Sequence, residues 1–475
     1  MVAGPFQPVT VLEQCRISPS PAPAAGQPRA LPLTFFDLVF WDFPPVQRLF
    51  FYDNADLLDV PDFQASELAR FKKSLAAALH HFYPLAGKLA CQLAGGAAPE
   101  VAFSDGEDSV RLTVAVSGDD FHDLAGDHAR DTARLRPLLP SLPKHGGGGG
   151  SASHDVFAVQ VTVFPGAGIC VGTTLHHAVA DGSSYVQFMK TWAAIHRSAG
   201  AECNRKVAAA VPDVVPPLFD RGVVRDDAGL REAFIGDHRD LAAADDRRLG
   251  DWDLSRRPSV VLSTFRFTEK QLNRLGRHVE SETSARCSPY ALACGAAWAG
   301  IVHARGSGGA ASSDDACFGF VTGCKPRASP PIPANYFGNC LGLCRVEATN
   351  TKQGGGVLTA AAASAAVWRV IEGLAEEGSA FRDARGWVRL VREYASRRAV
   401  TVAGSPKLGV YAVDFGAPWG RPRKVEIASV ERTGALALAE SGRDGDGGIE
   451  LGLALPRAEM EAFRAFHRDL FAGLN

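Results

Sequence analysis

Apolar residues recur at helical spacing in the first quarter of the chain. They lie at intervals of three, four, four and three residues: Leu68, Phe71, Leu75, Leu79 and Phe82. Because these intervals place side chains on one face of an α-helix, the pattern predicts an amphipathic helix that packs against a core. We expect this helix to end at Tyr83-Pro84, since the residue before a proline avoids helical backbone angles.

Residues 156–164 and 259–267 have the alternation of apolar and polar residues that is typical of β-strands, and residues 169–175 are rich in residues that favour strands. Helical patterns lie between and after them. One follows residue 182, with Val186, Met189 and Ile195 near helical spacing, and two alanine-rich helices are expected at 291–303 and 359–374. Strands and helices alternate in both halves of the chain, which predicts an α/β fold.

A proline-rich segment separates the two halves. Residues 211–221 contain Pro212, Pro216 and Pro217, which disfavour a regular helix or a central strand. At 475 residues the chain is long enough for two domains that each bury a core. We therefore predict an N-terminal domain at 1–205, a crossover linker at 206–225 and a C-terminal domain at 226–475.

The composition excludes several classes of function. The chain is 46% hydrophobic and 21% charged, which is typical of a globular protein. Its 50 basic and 52 acidic side chains give a net charge of -2, so we expect no nucleic-acid partner. The first residues lack the basic and apolar segments of a signal peptide, and no apolar run is long enough to cross a bilayer. The expected location is the cytoplasm, with no membrane association.

Cysteines and glycines add little chemistry. Ten cysteines in 475 residues are too sparse for a disulfide scaffold, and we expect Cys340 and Cys344 to be buried thiols rather than metal ligands. We predict no metal and no bound cofactor. The five consecutive glycines at 146–150 lack the helix start of a phosphate-binding loop, so they predict a surface loop, as do residues 307–315 and 444–448.

The strongest chemical signal is the segment 176–182, which reads HHAVADG. It follows a predicted strand and precedes a predicted helix, so the histidines should lie at the mouth of a strand. A free imidazole has a pKa of about 6.5 and can take a proton from an alcohol near neutral pH. Gly182 lets the backbone bend before the helix begins. Taken alone, the segment supports catalysis and a structural role about equally.

Several further motifs occur in one order along nearly the whole chain. They are LPLTFFD at 31–37 with Trp41, FYPLAG at 82–87, His177 and Asp181 in the form H-x-x-x-D, NYFGNC at 335–340, YAVDFG at 411–416, WGRP at 419–422 and KVE at 424–426. Together they resemble the plant BAHD acyltransferases, which transfer acyl groups from coenzyme A thioesters. The YFGNC form and the KVE after the later motif resemble the branch that acylates anthocyanins and other phenolic glycosides.

The resemblance implies a fold and a mechanism. The fold would be two chloramphenicol-acetyltransferase-like domains with mixed sheets and a solvent channel at their interface, which acyl-CoA enters from one face and the acceptor from the other. His177 would be the general base, and its neighbour His176 would be structural. Asp181 would orient the turn by pairing with a basic side chain, for which Lys325 and Arg327 are candidates.

The resemblance also implies that the later motif is structural rather than chemical. Its members are Asp414, Phe415, Gly416, Trp419 and Gly420. This chain has Ala417-Pro418 inserted before the tryptophan, which leaves the position of that tryptophan open.

Two regions have both a binding and a structural interpretation. Family members often have Thr-Ser near the oxyanion, where this chain has Ala403-Gly404. Ser405 is a candidate replacement, and a surface turn before the following proline is equally supported. Tyr336, Phe337 and Asn339 are candidate substrate-binding residues, and packing at the domain interface explains them equally well.

The resemblance therefore implies an acyl-CoA-dependent O-acyltransferase that carries malonyl from malonyl-CoA to a sugar hydroxyl of an anthocyanin, flavonoid or other phenolic glucoside, acting as a monomer. One alternative is a hydroxycinnamoyl-CoA donor, and another is a non-catalytic binding protein of the same fold. A malonyl carboxylate that loses its water needs a cation or several N–H donors, whereas a coumaroyl ring needs an apolar slot. The basic residues nearest to motifs are Lys325, Arg327 and Lys407.

Overall fold

The computed structural model describes residues 9–22, 29–53, 60–90, 99–145, 153–201, 215–306, 317–347, 358–443 and 447–474. The predicted loops at 146–150 and 307–315 lie outside the described residues, as do 206–214 of the predicted linker and 444–446 of the third predicted loop.

One sheet lies mainly in the first half of the chain. Its strands, numbered in chain order, are Val9–Ile17 (β1), Val46–Asp53 (β3), Val110–Ser117 (β6), Phe157–Phe164 (β10), Gly168–Leu175 (β11) and Lys424–Ile427 (β16). They lie in the order β1-β6-β10-β11-β3-β16. The sheet is mixed, because β10 pairs parallel with β6 and antiparallel with β11. Two of these strands confirm the expectations for 156–164 and 169–175.

A second sheet lies mainly in the other half. Its strands are Arg130–Asp131 (β7), Val260–Phe267 (β12), Cys317–Gly323 (β13), Leu341–Glu347 (β14), Val400–Gly404 (β15), Ala435–Glu440 (β17) and Ile449–Pro456 (β18). Their order is β14-β13-β15-β17-β18-β12-β7, again with parallel and antiparallel pairs. A third sheet of short strands contains Ala30–Pro32 (β2), Lys88–Ala90 (β4), Glu100–Ala102 (β5), Lys144–His145 (β8) and Ser153–Asp155 (β9).

Two strands cross from one half to the other. From the C-terminal half, β16 pairs antiparallel with β3, and from the N-terminal half, β7 pairs with β12. A buried ion pair accompanies the exchange: Nη2 of Arg130 in β7 lies 2.6 Å from Oε1 of Glu426 in β16. Arg130 also donates to the carbonyl oxygens of Leu124 and His128, so its charge and its N–H groups are satisfied. The halves are therefore joined through both sheets as well as through the chain.

Eight helices of at least eight residues occur in the described part of the chain. They are Leu68–His81 (α1), Gly182–Ala201 (α2), Leu230–Ala243 (α3), Glu269–Thr283 (α4), Pro289–Gly306 (α5), Ala360–Gly373 (α6), Trp387–Ser396 (α7) and Arg457–Gly473 (α8). The predicted helices are confirmed to within three residues at each end. The apolar stripe of α1 is buried throughout. None of the described helices is both long and apolar enough to span a membrane.

The helices α1 and α2 cover one face of the first sheet, and this packing fixes the start of α2. Phe71 of α1 and Trp192 of α2 have ring centroids 4.9 Å apart. Trp192 Nε1 donates to Ser74 Oγ at 3.1 Å, so the buried indole N–H is paired. The segment 176–182 runs directly into α2, so its position depends on this contact.

The close crossing of α5 and α6 gives a stability prediction. A Cβ added at Gly295 in α5 would lie 2.3 Å from the backbone nitrogen of Ser364, whereas one added at Gly236 in α3 would meet nothing within 4 Å. We expect Gly295→Ala to lower the free energy of unfolding by about 1 to 3 kcal/mol, because the backbones must move apart. The matched Gly236→Ala should raise it by about 0.5 to 1 kcal/mol, because alanine is the better helix former. Urea unfolding of both variants tests this, and a neutral Gly295→Ala would contradict the packing.

Candidate active site

His177 lies where β11 ends and before α2 begins. The backbone N–H of Val179 donates to the carbonyl of His176 at 3.1 Å and closes a turn between the two elements. The His177 ring stacks on Phe40, with centroids 4.0 Å apart and planes 9° apart, and Phe43 approaches edge-on at 5.8 Å. Two aromatic side chains therefore fix the orientation of the imidazole.

His177 borders a cavity of about 1120 Å³ between the two halves of the chain. The first half contributes Phe40, Arg48 and His177 to its walls, and the second half contributes strands β13 to β15 and the turn that carries Ser405. The Nδ1 atom of His177 is fully buried without a hydrogen-bond partner. Since the residue as a whole is partly exposed, the Nε2 edge faces the cavity.

The surroundings of His177 favour its neutral form. Burial, and to a smaller extent the positive charge of Arg48, lower the pKa of His177 to about 4, although its own backbone carbonyl and Asn339 partly oppose the shift. The imidazole is therefore unprotonated at neutral pH. A neutral imidazole that presents one nitrogen to a cavity can accept a proton from a bound hydroxyl group.

His176 lies on the other side of the turn. It is buried, does not border the cavity, and stacks on His154 with centroids 4.8 Å apart. Its Nδ1 accepts the backbone N–H of Ala178 at 3.2 Å. Burial lowers the pKa of His176 to about 3, so it too is neutral. This placement gives His176 contacts within the protein and none with the cavity.

The prediction that Asp181 pairs with a basic side chain was wrong. Oδ1 of Asp181 accepts the backbone N–H of Ser184 at 2.9 Å, and Oδ2 accepts that of Cys340 at 3.2 Å. Among the residues that the structure describes, no lysine or arginine forms an ion pair with this carboxylate. The first bond caps α2, and the second ties the turn to the other half of the chain.

The two candidate partners of Asp181 are satisfied elsewhere. Lys325 Nζ donates to the carbonyl oxygens of Ala334 and Tyr336 at 2.9 and 2.8 Å. Arg327 is exposed, and its Nη1 donates to the carbonyl of Gly323 at 2.8 Å. Backbone N–H groups replace the expected cation because Asp181 sits at a helix start, where unpaired donors are already present.

Tyr336, Phe337 and Asn339 do not border the cavity. All three are fully buried, which favours the packing interpretation of this segment over substrate binding. Phe337 packs edge-on against Phe82, with centroids 5.5 Å apart. Lys325 and Arg221 lie over the ring of Tyr336, at 6.0 and 5.2 Å from its centre.

Asn339 instead forms hydrogen bonds that hold the turn carrying His177. Its Nδ2 donates to the carbonyl of His177 at 2.9 Å and to Oδ1 of Asp37 at 3.0 Å. The carboxylate of Asp37 also accepts the backbone N–H of Asn339 at 2.9 Å and both the N–H and the hydroxyl of Thr34. A fully buried carboxylate and a buried amide thus hold the backbone of the proposed base. This role of Asp37 was not predicted from the sequence.

Ser405 lies in a tight turn and also borders the cavity. Its position is therefore compatible both with binding of the oxyanion and with a purely structural turn. The N–H of Leu408 donates to its carbonyl at 3.2 Å, and the N–H of Lys407 donates to its Oγ at 3.2 Å. The hydroxyl therefore accepts within the turn and keeps its own proton for another acceptor. Lys407 is exposed at the same edge of the cavity.

The later motif lies in the core of the first half, away from the cavity. Phe415 and Trp419 pack with Tyr52, Phe71 and His196, with ring centroids 5.3 to 6.3 Å apart. The loop is closed by the N–H groups of Trp419 and Gly420, which donate to the carbonyl of Gly416 at 2.8 Å, and Gly416 N–H donates to Oδ1 of Asp414. The two inserted residues are exposed, and Trp419 is buried in spite of them.

Cys340 and Cys344 are buried free thiols, as predicted. Burial raises the pKa of both, that of Cys344 to about 12, so neither forms a thiolate at neutral pH. Within the described residues, no group of three or more histidine, cysteine or acidic side chains could hold a metal ion.

Arg48 in β3 is a cavity residue that was not predicted from the sequence. It is 5% exposed. The sequence carried a signal for it: Arg48, Phe50 and Tyr52 alternate along the strand, so the arginine shares the buried face of the two aromatic residues. A charge at such a position is uncommon, because burying an unpaired charge is costly.

The contact between Asn339 and Asp37 gives a second prediction. Asn339→Asp would place two carboxylates about one hydrogen bond apart in a buried site and would raise the pKa of one of them. We expect the free energy of unfolding at pH 8 to fall by about 2 to 4 kcal/mol. Because the raised pKa belongs to the folded state, the variant should be more stable at pH 5 than at pH 8.

Asn335→Asp is the matched control, because Asn335 is only partly buried and donates to the carbonyl of Pro216. Its effect should be small and nearly independent of pH. Denaturant unfolding at both pH values is the measurement. If the two variants lose equal free energy of unfolding, Asn339 does not have the proposed role of supporting the His177 backbone.

The comparisons with known proteins agree with this geometry. The chain matches the sequence model of the Transferase family over residues 7–469. It is 33% identical, over 96% of each chain, to malonyl-CoA:anthocyanidin 5-O-glucoside-6''-O-malonyltransferase of Arabidopsis thaliana. It is 32% identical, over 97% of each chain, to coumaroyl-CoA:anthocyanidin 3-O-glucoside-6''-O-coumaroyltransferase 2 of the same plant.

Among solved structures, vinorine synthase is similar in fold. It superposes with a TM-score of 0.64 at 18% identity and covers 96% of both chains. The match in fold, in motif order and in sequence over the full length of the relatives leads to one conclusion. The chain belongs to the Transferase family, the BAHD acyltransferases, and is an acyl-CoA-dependent acyltransferase.

Proposed function

We propose that the protein transfers malonyl from malonyl-CoA to a sugar hydroxyl of an anthocyanin, flavonoid or other phenolic glucoside. The observation that carries the proposal is the neutral imidazole of His177, which presents one nitrogen to a cavity between the two halves. The volume of about 1120 Å³ is large enough for the reacting ends of two substrates. The activities named for the two relatives support the class of donor and acceptor.

In the proposed reaction, Nε2 of His177 takes the proton of the acceptor hydroxyl. The hydroxyl oxygen attacks the thioester carbonyl, and the carbon–sulfur bond breaks as the tetrahedral oxyanion collapses. The coenzyme A thiolate leaves and takes the proton back from the imidazolium. General base catalysis of this kind contributes typically about 10² to 10⁴ in rate.

Two side chains have supporting roles in this proposal. Asp181 orients the turn, because it accepts N–H groups from α2 and from the other half of the chain. Ser405 supplies a hydrogen bond to the oxyanion, because its hydroxyl borders the cavity and keeps a free proton. A donor of this kind is worth about 3 to 4 kcal/mol in the transition state.

The second candidate donor is a hydroxycinnamoyl thioester, which the similarity to a coumaroyltransferase supports. The third interpretation, a non-catalytic binding protein, has no such support. We also propose that the enzyme is cytoplasmic and monomeric. The eight cysteines in the described residues are free, which is typical of a reducing compartment.

The main test of the mechanism is His177→Ala. We expect turnover to fall by at least about 10², because the base is lost. The free energy of unfolding should change by less than about 1 to 2 kcal/mol, because the ring borders a cavity. Steady-state kinetics and denaturant unfolding measure the two effects. His176→Ala is the control and should lose less than about tenfold in turnover, and near wild-type activity in folded His177→Ala would eliminate the mechanism.

The pKa of His177 predicts the acid limb of the pH profile. Because the folded-state pKa is lowered from 6.5 to about 4, the base stays unprotonated as the pH falls through 6.5, and kcat/KM should hold its plateau to about pH 5. The kcat/KM values must be corrected for the fraction of folded protein at each pH, which circular dichroism measures. An acid limb centred near 6.5 would show that the imidazole is solvated and not buried.

The donor is tested by competition. Equal concentrations of malonyl-CoA and coumaroyl-CoA, with a flavonoid glucoside as acceptor, should yield chiefly the malonyl ester. Mass spectrometry of the products measures the ratio. Mainly coumaroyl product would establish the second candidate in place of the first.

A further inference from the structure

The guanidinium of Arg48 is a buried cation without a counter-charge. It is 5% exposed, and its Nε is buried with no acceptor. In the part of the chain that the structure describes, the side chain of Arg48 forms no ion pair and no hydrogen bond. Its polar contact is with the face of the Tyr185 ring, whose centre lies 4.9 Å away. Burying an unpaired charge costs free energy, and binding of an anionic ligand would offset that cost.

The guanidinium lies beside the motif that carries the proposed base. A Cβ added at Gly182 would be 3.8 Å from Nη2 of Arg48, and α2 begins at this glycine. Arg48, Gly182 and His177 border the same cavity. The N-terminus of α2 adds a partial positive charge at the same place. The neighbouring carboxylate of Asp181 is already occupied by two backbone N–H groups.

Arg48 also borders a small pocket lined by Glu426 and Glu450, which form ion pairs with Arg130 and Lys424. In the larger cavity, Glu440 accepts the N–H of Tyr411 through Oε1 at 2.9 Å and has a buried Oε2 without a partner. It lies beyond ion-pair distance from Arg48. Burial lowers the pKa of Arg48, and electrostatic interactions with Tyr185 and Glu440 oppose that shift. Glu440 therefore favours the charged form of Arg48 from a distance and leaves its hydrogen-bonding atoms without a partner.

We propose that Arg48 binds the terminal carboxylate of the acyl group and makes the donor site selective for malonyl over uncharged acyl groups. The inference rests on the proposed function, which places the thioester beside His177. In malonyl-CoA one methylene separates the carboxylate from the thioester carbonyl, so its binding cation must lie near the base, as Arg48 does. The planar guanidinium fork matches a carboxylate and offers two parallel hydrogen bonds.

The test must separate this role from stabilisation of the oxyanion. An oxyanion forms with every acyl donor, so a residue that stabilises it affects all donors alike. A carboxylate-binding residue affects only donors that carry the carboxylate. The informative quantity is therefore the ratio of kcat/KM for malonyl-CoA to kcat/KM for acetyl-CoA, because the two donors differ only in that group.

We would measure this ratio for the full-length wild type and for Arg48→Met and Arg48→Lys, with an anthocyanidin glucoside as acceptor. The ratio should fall by about 10- to 100-fold in Arg48→Met, which keeps the apolar stem and loses the charge–charge hydrogen bonds. It should fall less in Arg48→Lys, which keeps the charge but loses the fork. Calorimetric titration with each thioester should show the same selective weakening in the dissociation constants.

Arg327→Ala is the matched control. Arg327 is a second arginine on the same cavity, but it is exposed and donates to the carbonyl of Gly323. Its removal should leave the malonyl-to-acetyl ratio unchanged. A fall of the same size in this variant would show that the ratio responds to any cation on the cavity wall, and would overturn the role of Arg48.

The remaining outcomes are also decisive. An unchanged ratio in Arg48→Met, or an equal loss with both donors, overturns the inference. If Arg48→Met does not fold, Arg48→Lys carries the test, and an unchanged ratio there overturns it as well. A wild type that turns over coumaroyl-CoA alone, yet binds malonyl-CoA in an Arg48-dependent manner, would refute the proposed donor and support the carboxylate site. If the enzyme transfers malonyl but its malonyl-to-acetyl ratio does not depend on Arg48, the role of Arg48 is refuted and the proposed function is not.

Discussion

The site depends on the burial of two carboxylates and on the donors that satisfy them. Asp37 and Asp181 lie beneath the turn of His177, and a buried carboxylate without hydrogen bonds would be unstable. The segment 338–340 supplies donors to both, through the N–H groups of Asn339 and Cys340 and the amide of Asn339. Because this segment belongs to the second half of the chain, the same bonds fix the two halves relative to each other.

Gly338 lies in this segment at a position with little space for a side chain. Its φ is +155°, and a Cβ there would lie 2.7 Å from Nη1 of Arg221. Its carbonyl accepts the hydroxyl of Ser184 at 2.9 Å, and its N–H donates back to the same oxygen at 3.2 Å. The backbone thus contacts the first turn of α2 directly. A side chain at this position would collide with the side chains of Arg221 and Tyr336, and the positive φ favours glycine there.

The sequence predicted what depends on periodicity and motif order. The helix at 68–81, the strands around residues 160, 170 and 263, and the location of His177 at the end of a strand all followed from local patterns. The partner of Asp181 did not, because backbone N–H groups have no signature in a sequence. The role of Asn339 also required the fold, since its contacts are 162 and 302 residues away along the chain.

The exchange of β16 has a consequence for how substrates are selected. With the halves joined through β16, through β7 and by the buried Arg130–Glu426 pair, hinge-like opening would break strand pairing and expose a buried charge pair. We therefore expect the cavity to keep its width when substrates bind. On this expectation, selection of substrates by size would depend on the side chains that line the cavity rather than on the rate of a closing motion.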